Sequence, residues 1–320
     1  MEQPWFTIVI ISSIVLFLDL VLFGIVIFAY HATFYSSKKR KVSPIMPKSE
    51  RDRELVENMA VTTEQLRKEV YEPVYIKSKD GTTLFARYYH VKDGAPLYIE
   101  FHGYRGEACR DFAGGDLIFK TFGHNTLLVD QRAHGKSGGT SISFGVNERF
   151  DCLAWVKYAC ERFGEIPIFL VGISMGGATV LMASDLDLPS NVRGIIADCP
   201  YSSPKEIICK VCKVELKLVP WIIYPFIKLG AIIFGGFNPN ESSAIKSVKS
   251  TKIPILLIHG KGDSFVPCEM SQKIYESCQG EKYIYTVDDA EHGMAFLYDM
   301  STYEHTIKDF VDKQLKKEVA

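Results

Sequence analysis

FLVGISMGGATVLM, residues 169–182, runs an apolar segment into a serine and resumes as a second apolar segment after two glycines. Gly172-Ile173-Ser174-Met175-Gly176 fits G-x-S-x-G, the spacing of a sharp strand-to-helix turn. Small residues on either side let the backbone close up without a Cβ clash, which pushes the serine hydroxyl out of the top of a sheet. A five-residue pattern also fits an ordinary glycine-rich loop, so the rest of the chain has to decide.

Working outward, the pattern alternates. PVYIKS and TTLFARYYHV read as an antiparallel pair joined at Asp80-Gly81, a hairpin turn signal. APLYIEFHG, NTLLVD, IPIFLVGIS, VRGIIADC, IPILLIHG and KYIYTVDD follow as short runs. Several are almost continuously apolar, as strands buried on both faces are. Helical stretches such as NERFDCLAWVKYACERFG and CEMSQKIYESC lie between them. This alternation predicts a mostly parallel sheet with helices on both faces. Residues 201–250 break the rhythm with Trp221, Ile222, Ile223, Tyr224, Phe226 and three prolines, and suit a cap inserted over the sheet ends. Buried helix and a membrane-touching surface fit the same interval.

The 320 residues are enough to bury a sizeable core, and a net charge of -1 with mixed signs gives no footprint for nucleic acid. The eight cysteines show no disulfide-framework spacing, which predicts free thiols in a reducing compartment. Cys209-x-x-Cys212 lacks the second pair that a metal site needs.

The N-terminus is a different kind of sequence. From Trp5 to Tyr30 the only formal charge is Asp19. At about 1.5 Å per residue, such a run spans a hydrocarbon core roughly 30 Å thick. An acidic start at Glu2 and bulky residues at its end favour a retained transmembrane helix over a cleaved signal peptide. Lys38, Lys39, Arg40 and Lys41 follow the span and predict a cytoplasmic C-terminal side. Asp19 near mid-membrane marks either a partner contact or a tolerated carboxyl. The expected organisation is a membrane anchor at 1–31, a juxtamembrane linker at 32–70 acting as a spacer, and a globular domain at 71–320 with a cap at about 201–250. Within the linker, Thr62-x-x-Gln65 predicts the start of a short helix.

A serine nucleophile needs a general base that is itself oriented by an acid. Given Ser174 at a strand end, the partners are expected at later strand ends in the order acid, then histidine. Asp263 follows the strand in ILLIHGKGDSFVP, and His292 follows the next one in YIYTVDDAEHGMAF. Asp288, Asp289 and Glu291 are rival acids that share the histidine's own loop. His259 precedes the acid and reads as a structural, hydrogen-bonded histidine. Backbone N–H groups of Met175, after the nucleophile, and Tyr104, after His102-Gly103, are the expected oxyanion donors.

From about residue 71 onward the chain resembles an α/β-hydrolase of the serine aminopeptidase-like (S33) group, with a likeness to its membrane-anchored Bem46-like branch. HGYRG, VDQRAHGKSGG, VGISMGG, IHGKGDSFVP and AEHG carry the resemblance in order. One departure is Ala133, where that group commonly has glycine. The resemblance implies the α/β-hydrolase fold, with a mostly parallel twisted sheet, helices on both faces and an inserted cap. It also implies a serine hydrolase needing no cofactor or metal, and a rim shaped through ion pairs of Asp130 and Arg132 with His134 nearby. The expected substrate is a lipophilic or acyl ester or thioester held near the lipid bilayer. A peptidase or amidase acting on small peptides, and a non-catalytic hydrolase-like scaffold, are the alternatives.

Overall fold

The computed structural model describes residues 4–37 and 49–317. The basic cluster Lys38–Lys41 and the residue Glu2 lie outside these.

Two helices open the chain, α1 (Pro4–Thr33) and α2 (Glu50–Lys68). There follow β1 (Glu72–Lys77), β2 (Thr83–Tyr89), β3 (Leu97–Phe101), α3 (Ala108–Thr121), β4 (Asn125–Asp130), α4 (Glu148–Phe163), β5 (Ile168–Ile173), α5 (Met175–Ala183) and β6 (Val192–Asp198). Three helices then precede the next strand: α6 (Pro204–Val214), α7 (Pro220–Gly235) and α8 (Ala244–Ser247). The chain closes with β7 (Ile255–Gly260), α9 (Glu269–Ser277), β8 (Lys282–Val287), α10 (Ala295–Tyr298) and α11 (Met300–Leu315). Every run read as a strand from the sequence is one.

The eight strands form one sheet in the order β1-β2-β4-β3-β5-β6-β7-β8. β1 and β2 pair antiparallel around the turn at Gly81, whose φ is +81°, and β2 is also antiparallel to β4. All remaining neighbours are parallel. Because β3 lies between β4 and β5, the strand order reverses at β3, so the C-terminal ends of β3 and β5 flank the crevice where ligands enter such sheets. One core cluster, with Trp155, Leu181 and Ile274, covers one face; another, with Phe112, Phe119, Ile307 and Phe310, covers the other.

The N-terminal segments depart from the expected spacer. α1 has a mean hydropathy of 2.8 and its apolar window is unburied, so it is a candidate membrane span by length and composition. Its last turns, however, belong to the domain. Phe34 is fully buried, and the Phe34–Ser36 strip pairs with Thr140–Ile142 through Ser36 N–H to Thr140 O (2.8 Å) and Ile142 N–H to Phe34 O (2.8 Å). α1 also packs on α7 so closely that a Cβ on Gly230 would stand 2.9 Å from Val26 O and from Tyr30 Cβ. α2 starts at a capping box between Ser49 and Asp52, twelve residues before the Thr62 start that the sequence suggested. It packs on α3, with Leu66 buried beside Tyr89. Within the described residues, 32–70 is therefore part of the folded body.

Candidate active site

The elbow after β5 is built by close approach. A Cβ on Gly172 would meet Gly176 C at 2.2 Å, and one on Gly176 would meet Phe101 O at 1.7 Å. Neither glycine needs a positive φ. The strained residue is Ser174 itself, at φ 54° and ψ -113°, a region that a β-carbon resists and that surrounding structure must impose. Ser174 N–H donates to Asp198 O at 2.8 Å, tying the elbow to the end of β6. Helix α5 starts at the next residue.

Three side chains from three strand ends converge here. His292, from the loop after β8, places Nε2 2.9 Å from Ser174 Oγ and Nδ1 2.6 Å from Asp263 Oδ2. Asp263, just beyond β7, accepts with Oδ1 from Phe265 N–H (2.9 Å) and Val266 N–H (2.7 Å). Burial opposes its charge, but hydrogen bonds from His259 and His292 outweigh it and hold the carboxyl well below the usual carboxylate range. A fixed carboxylate on Nδ1 leaves Nε2 to accept the serine hydroxyl. Two of the rival acids have other partners: Asp288 pairs with Lys261 at 2.7 Å, and Glu291, which lines the same cavity as His292, lies 3.3 Å from Ser264 Oγ. His259 is fully buried, with Nε2 2.8 Å from Val266 O and Nδ1 2.6 Å from Ser271 Oγ.

The two residues named as oxyanion donors lie beside this serine. Met175 is the first residue of α5, so its N–H has no partner inside the helix. Tyr104 follows Gly103, where a Cβ would lie 3.6 Å from Ser174 Cβ. Three side chains strap the Tyr104 loop. Gly103 N–H donates to Asp111 Oδ2 (2.9 Å), Arg105 N–H to His134 Nε2 (3.0 Å), and Gln131 N–H to His102 Nε2 (3.1 Å). Burial, with the neighbouring His102 ring acting in the same direction, pulls the His134 imidazole down to about 3, so it stays neutral and able to accept.

One expectation needs correction. Asp130 and Arg132 do not line the rim. Asp130 binds Arg87 at 2.9 Å, while Arg132 binds Asp151 at 2.6 Å and Asp80 at 2.9 Å, so both brace the turn after β4 from below. Ala133 has φ 61°, which explains why glycine suits that position.

Ser174 and His292 open into a cavity of about 990 Å³. Its walls are largely apolar and include Phe112, Phe119, Val171, Ile196, Phe296 and Ile307. From the 201–250 interval only Glu215 reaches it, whereas α2 contributes Val56, Met59, Ala60, Thr63 and Arg67. Asp198 and Tyr303 also line it, a pair that sequence reading missed. Tyr303 OH donates to Asp198 Oδ2 at 3.0 Å, and Oδ1 has no hydrogen-bond partner among the described residues although Asp198 is only 4% exposed. Burial raises the Asp198 carboxyl to about 6, with the Tyr303 bond pulling the other way. Cys209 and Cys212 lie on α6, outside the cavity lining, and burial pushes both thiols up.

Comparison with known proteins agrees with this architecture. The family described as serine aminopeptidase, S33, matches residues 98–231, and the serine hydrolase FSH1 family matches residues 223–292. The protein YqkD of Bacillus subtilis is 30% identical over 198 residues, covering 61% of this chain and 64% of that protein. The lysophosphatidylserine lipase ABHD12 of Macaca fascicularis is 26% identical over 198 residues, covering 56% of this chain and 44% of its own. The chain thus spans less than two thirds of both relatives. Among solved structures, the Pyrococcus furiosus esterase Pf2001 superposes with a TM-score of 0.66 at 24% identity, covering 88% of this chain and 98% of the esterase. The sheet order and these likenesses give the chain the α/β-hydrolase fold, and between residues 98 and 292 its sequence is similar to serine hydrolase families.

Proposed function

We propose that the protein is a membrane-anchored carboxylic-ester hydrolase that cleaves an ester or thioester of a lipophilic acyl substrate through an acyl-enzyme. The observation that carries this reading is the relay Ser174–His292–Asp263 at the mouth of an apolar cavity. Nε2 of His292 takes the Ser174 proton as Oγ attacks the carbonyl carbon. The charge that develops on the carbonyl oxygen is met by the Tyr104 and Met175 N–H groups, which are fixed before the reaction starts. Asp263 stabilises the imidazolium and keeps its ring oriented. His292 returns the proton to the departing alkoxide or thiolate, leaving the acyl group on Ser174. Water, deprotonated by the same nitrogen, then releases the acid and restores the serine.

The anchor reading rests on α1, and the cytoplasmic placement of the domain on the basic run at 38–41 and on eight free cysteines. A small-peptide or aminoacyl amide is the second reading, favoured by the likeness of residues 98–231 to the serine aminopeptidase, S33, family.

The test is fluorophosphonate labelling of the full chain in detergent micelles, wild type against Ser174→Ala and His292→Ala. Labelling of the wild type alone is expected. A folded wild type that stays unlabelled overturns the hydrolase reading in favour of a scaffold. Faster turnover of aminoacyl amides than of matched acyl esters replaces the ester reading with the peptidase one.

A further inference from the structure

We propose that α2, the helix next to the anchor, is the outer wall of the compartment that receives the substrate's acyl chain, with Val56 and Met59 setting the chain length accepted. The inference rests on the hydrolase reading above and adds a substrate-selecting element to it.

The cavity is continuous from Ser174 and His292 to α2. At about 990 Å³ it sits at the upper end of the ~300–1,000 Å³ range of small-molecule sites, far more than a short acyl group needs. The α2 residues that face it are Val56, Met59, Ala60, Thr63 and, one turn on, Arg67; the first four are spaced i, i+3, i+4, i+7 as one stripe of a helix must be. Along this stripe the helix meets the cavity, and Met59 also packs against the core cluster that contains Phe112 and Phe119.

Two features of the neighbouring helices point the same way. First, α2 is pinned at its ends and spans the space between. Near its start Tyr298 OH donates to Asp52 Oδ1 at 2.6 Å, and near its end Arg67 binds Glu107 through Nε (2.9 Å) and Nη2 (2.5 Å). Val56 and Met59 lie between those anchor points. Second, α3 carries Gly114-Gly115 in its interior, where glycine weakens a helix. Both glycines line the cavity, and a Cβ on Gly114 would stand 2.2 Å from the Phe296 ring. Gly114 leaves room for the Phe296 ring, while Phe112 and Phe119 of the same helix line the chamber with aromatic side chains. The 201–250 interval, by contrast, contributes a single residue to that chamber.

The experiment compares kcat/KM for a series of p-nitrophenyl esters from acetate to palmitate, using the full chain in detergent micelles. The variants are Val56→Trp and Met59→Trp, which fill the chamber, and Met59→Ala, which enlarges it. The tryptophan variants are expected to keep acetate and butyrate rates within about twofold of wild type and to lose tenfold or more on laurate and palmitate. Met59→Ala is expected to shift the preference toward longer chains, and it guards against a tryptophan variant that fails to fold. Equal loss at every chain length, or no change at any, overturns the proposal.

A second readout needs no turnover. Ser174→Ala protein is irradiated with a diazirine-bearing palmitate, and the labelled peptide is identified by mass spectrometry. Labelling within 56–63 supports the wall even where the wild type hydrolyses nothing, which would sink only the esterase reading. Labelling confined to α7 overturns the wall and leaves the hydrolase untouched.

Discussion

Two histidines face the same carboxylate from opposite sides. His259, at the end of β7, has Nε2 3.3 Å from Asp263 Oδ2; His292, from the loop after β8, has Nδ1 2.6 Å from that same oxygen. His259 is fully enclosed, and both its ring nitrogens are committed to Val266 O and Ser271 Oγ. The side chain of His292 is 24% exposed, and its second nitrogen faces Ser174 at the cavity. Proximity to an aspartate does not single out a proton carrier. What does is a ring nitrogen left over for an acid-base partner at a place substrate can reach. His259 instead holds the loop that presents Asp263.

The comparison breaks most sharply at the exposed ring. Replacing His292 by Ala is expected to lower kcat by about 10⁶, the scale on which a triad member acts as part of a unit. Steady-state ester hydrolysis checks it, and a loss under a hundredfold would mean that His292 is not the base. Asp263→Asn keeps the shape but favours the wrong tautomer, so a loss of about 10⁴ in kcat is expected with KM little changed. The enclosed ring should behave differently. His259→Gln is expected to destabilise the fold by about 2 kcal/mol, because Val266 O and Ser271 Oγ lose their partner, while kcat falls less than tenfold. Urea unfolding alongside turnover separates the two, and a loss as large as that of His292→Ala would erase the distinction.

The smallest expected effect sharpens the picture from Asp198, which feels both histidines. Its carboxyl titrates near 6 in the folded chain, against roughly 4 when unfolded. The native state therefore binds the extra proton between those values. This contribution is fully present below pH 4 and is lost as pH rises through 6. Asp198→Asn should flatten that part of the stability profile, and thermal melts at pH 4, 5, 6 and 7 read it. An unchanged slope would place the titration elsewhere.

Much of this was legible in the chain. The runs marked every strand of the sheet: the central ones are apolar because both their faces are buried, and the partly exposed edge strands β1 and β8 stood out by their β-branched and aromatic residues between turn signals. The elbow, Asp263 and His292 were legible because chain order restricts which strand ends can meet. α2 was not. Its charged residues read as a solvated spacer, and the stripe at Val56, Met59 and Thr63 acquires meaning only when α3 is seen beneath it. Asp111 and Asp198 were hidden for a related reason. Each acts through a partner that only folding supplies, Gly103 across a turn for Asp111 and Tyr303 on α11 for Asp198. Asp130 and Arg132 misled because a motif shared with a family says that residues matter without saying which side of a turn they support.

The root of α1 carries one more consequence. Thr33 O accepts from Tyr104 OH at 2.7 Å, and Ala32 O accepts from Arg105 Nη2 at 2.8 Å, so the helix is bolted to the loop proposed to hold the oxyanion. Thirty residues at about 1.5 Å each make α1 a rod some 45 Å long. A rod fixed at one end is a lever. In the anchored arrangement, any tilt that α1 adopts to match a thicker or thinner bilayer arrives at its base as torque on Tyr104 and Arg105. The strapped loop would resist that torque through Asp111 and His134, so an anchored α1 would couple bilayer thickness to the loop beside Ser174.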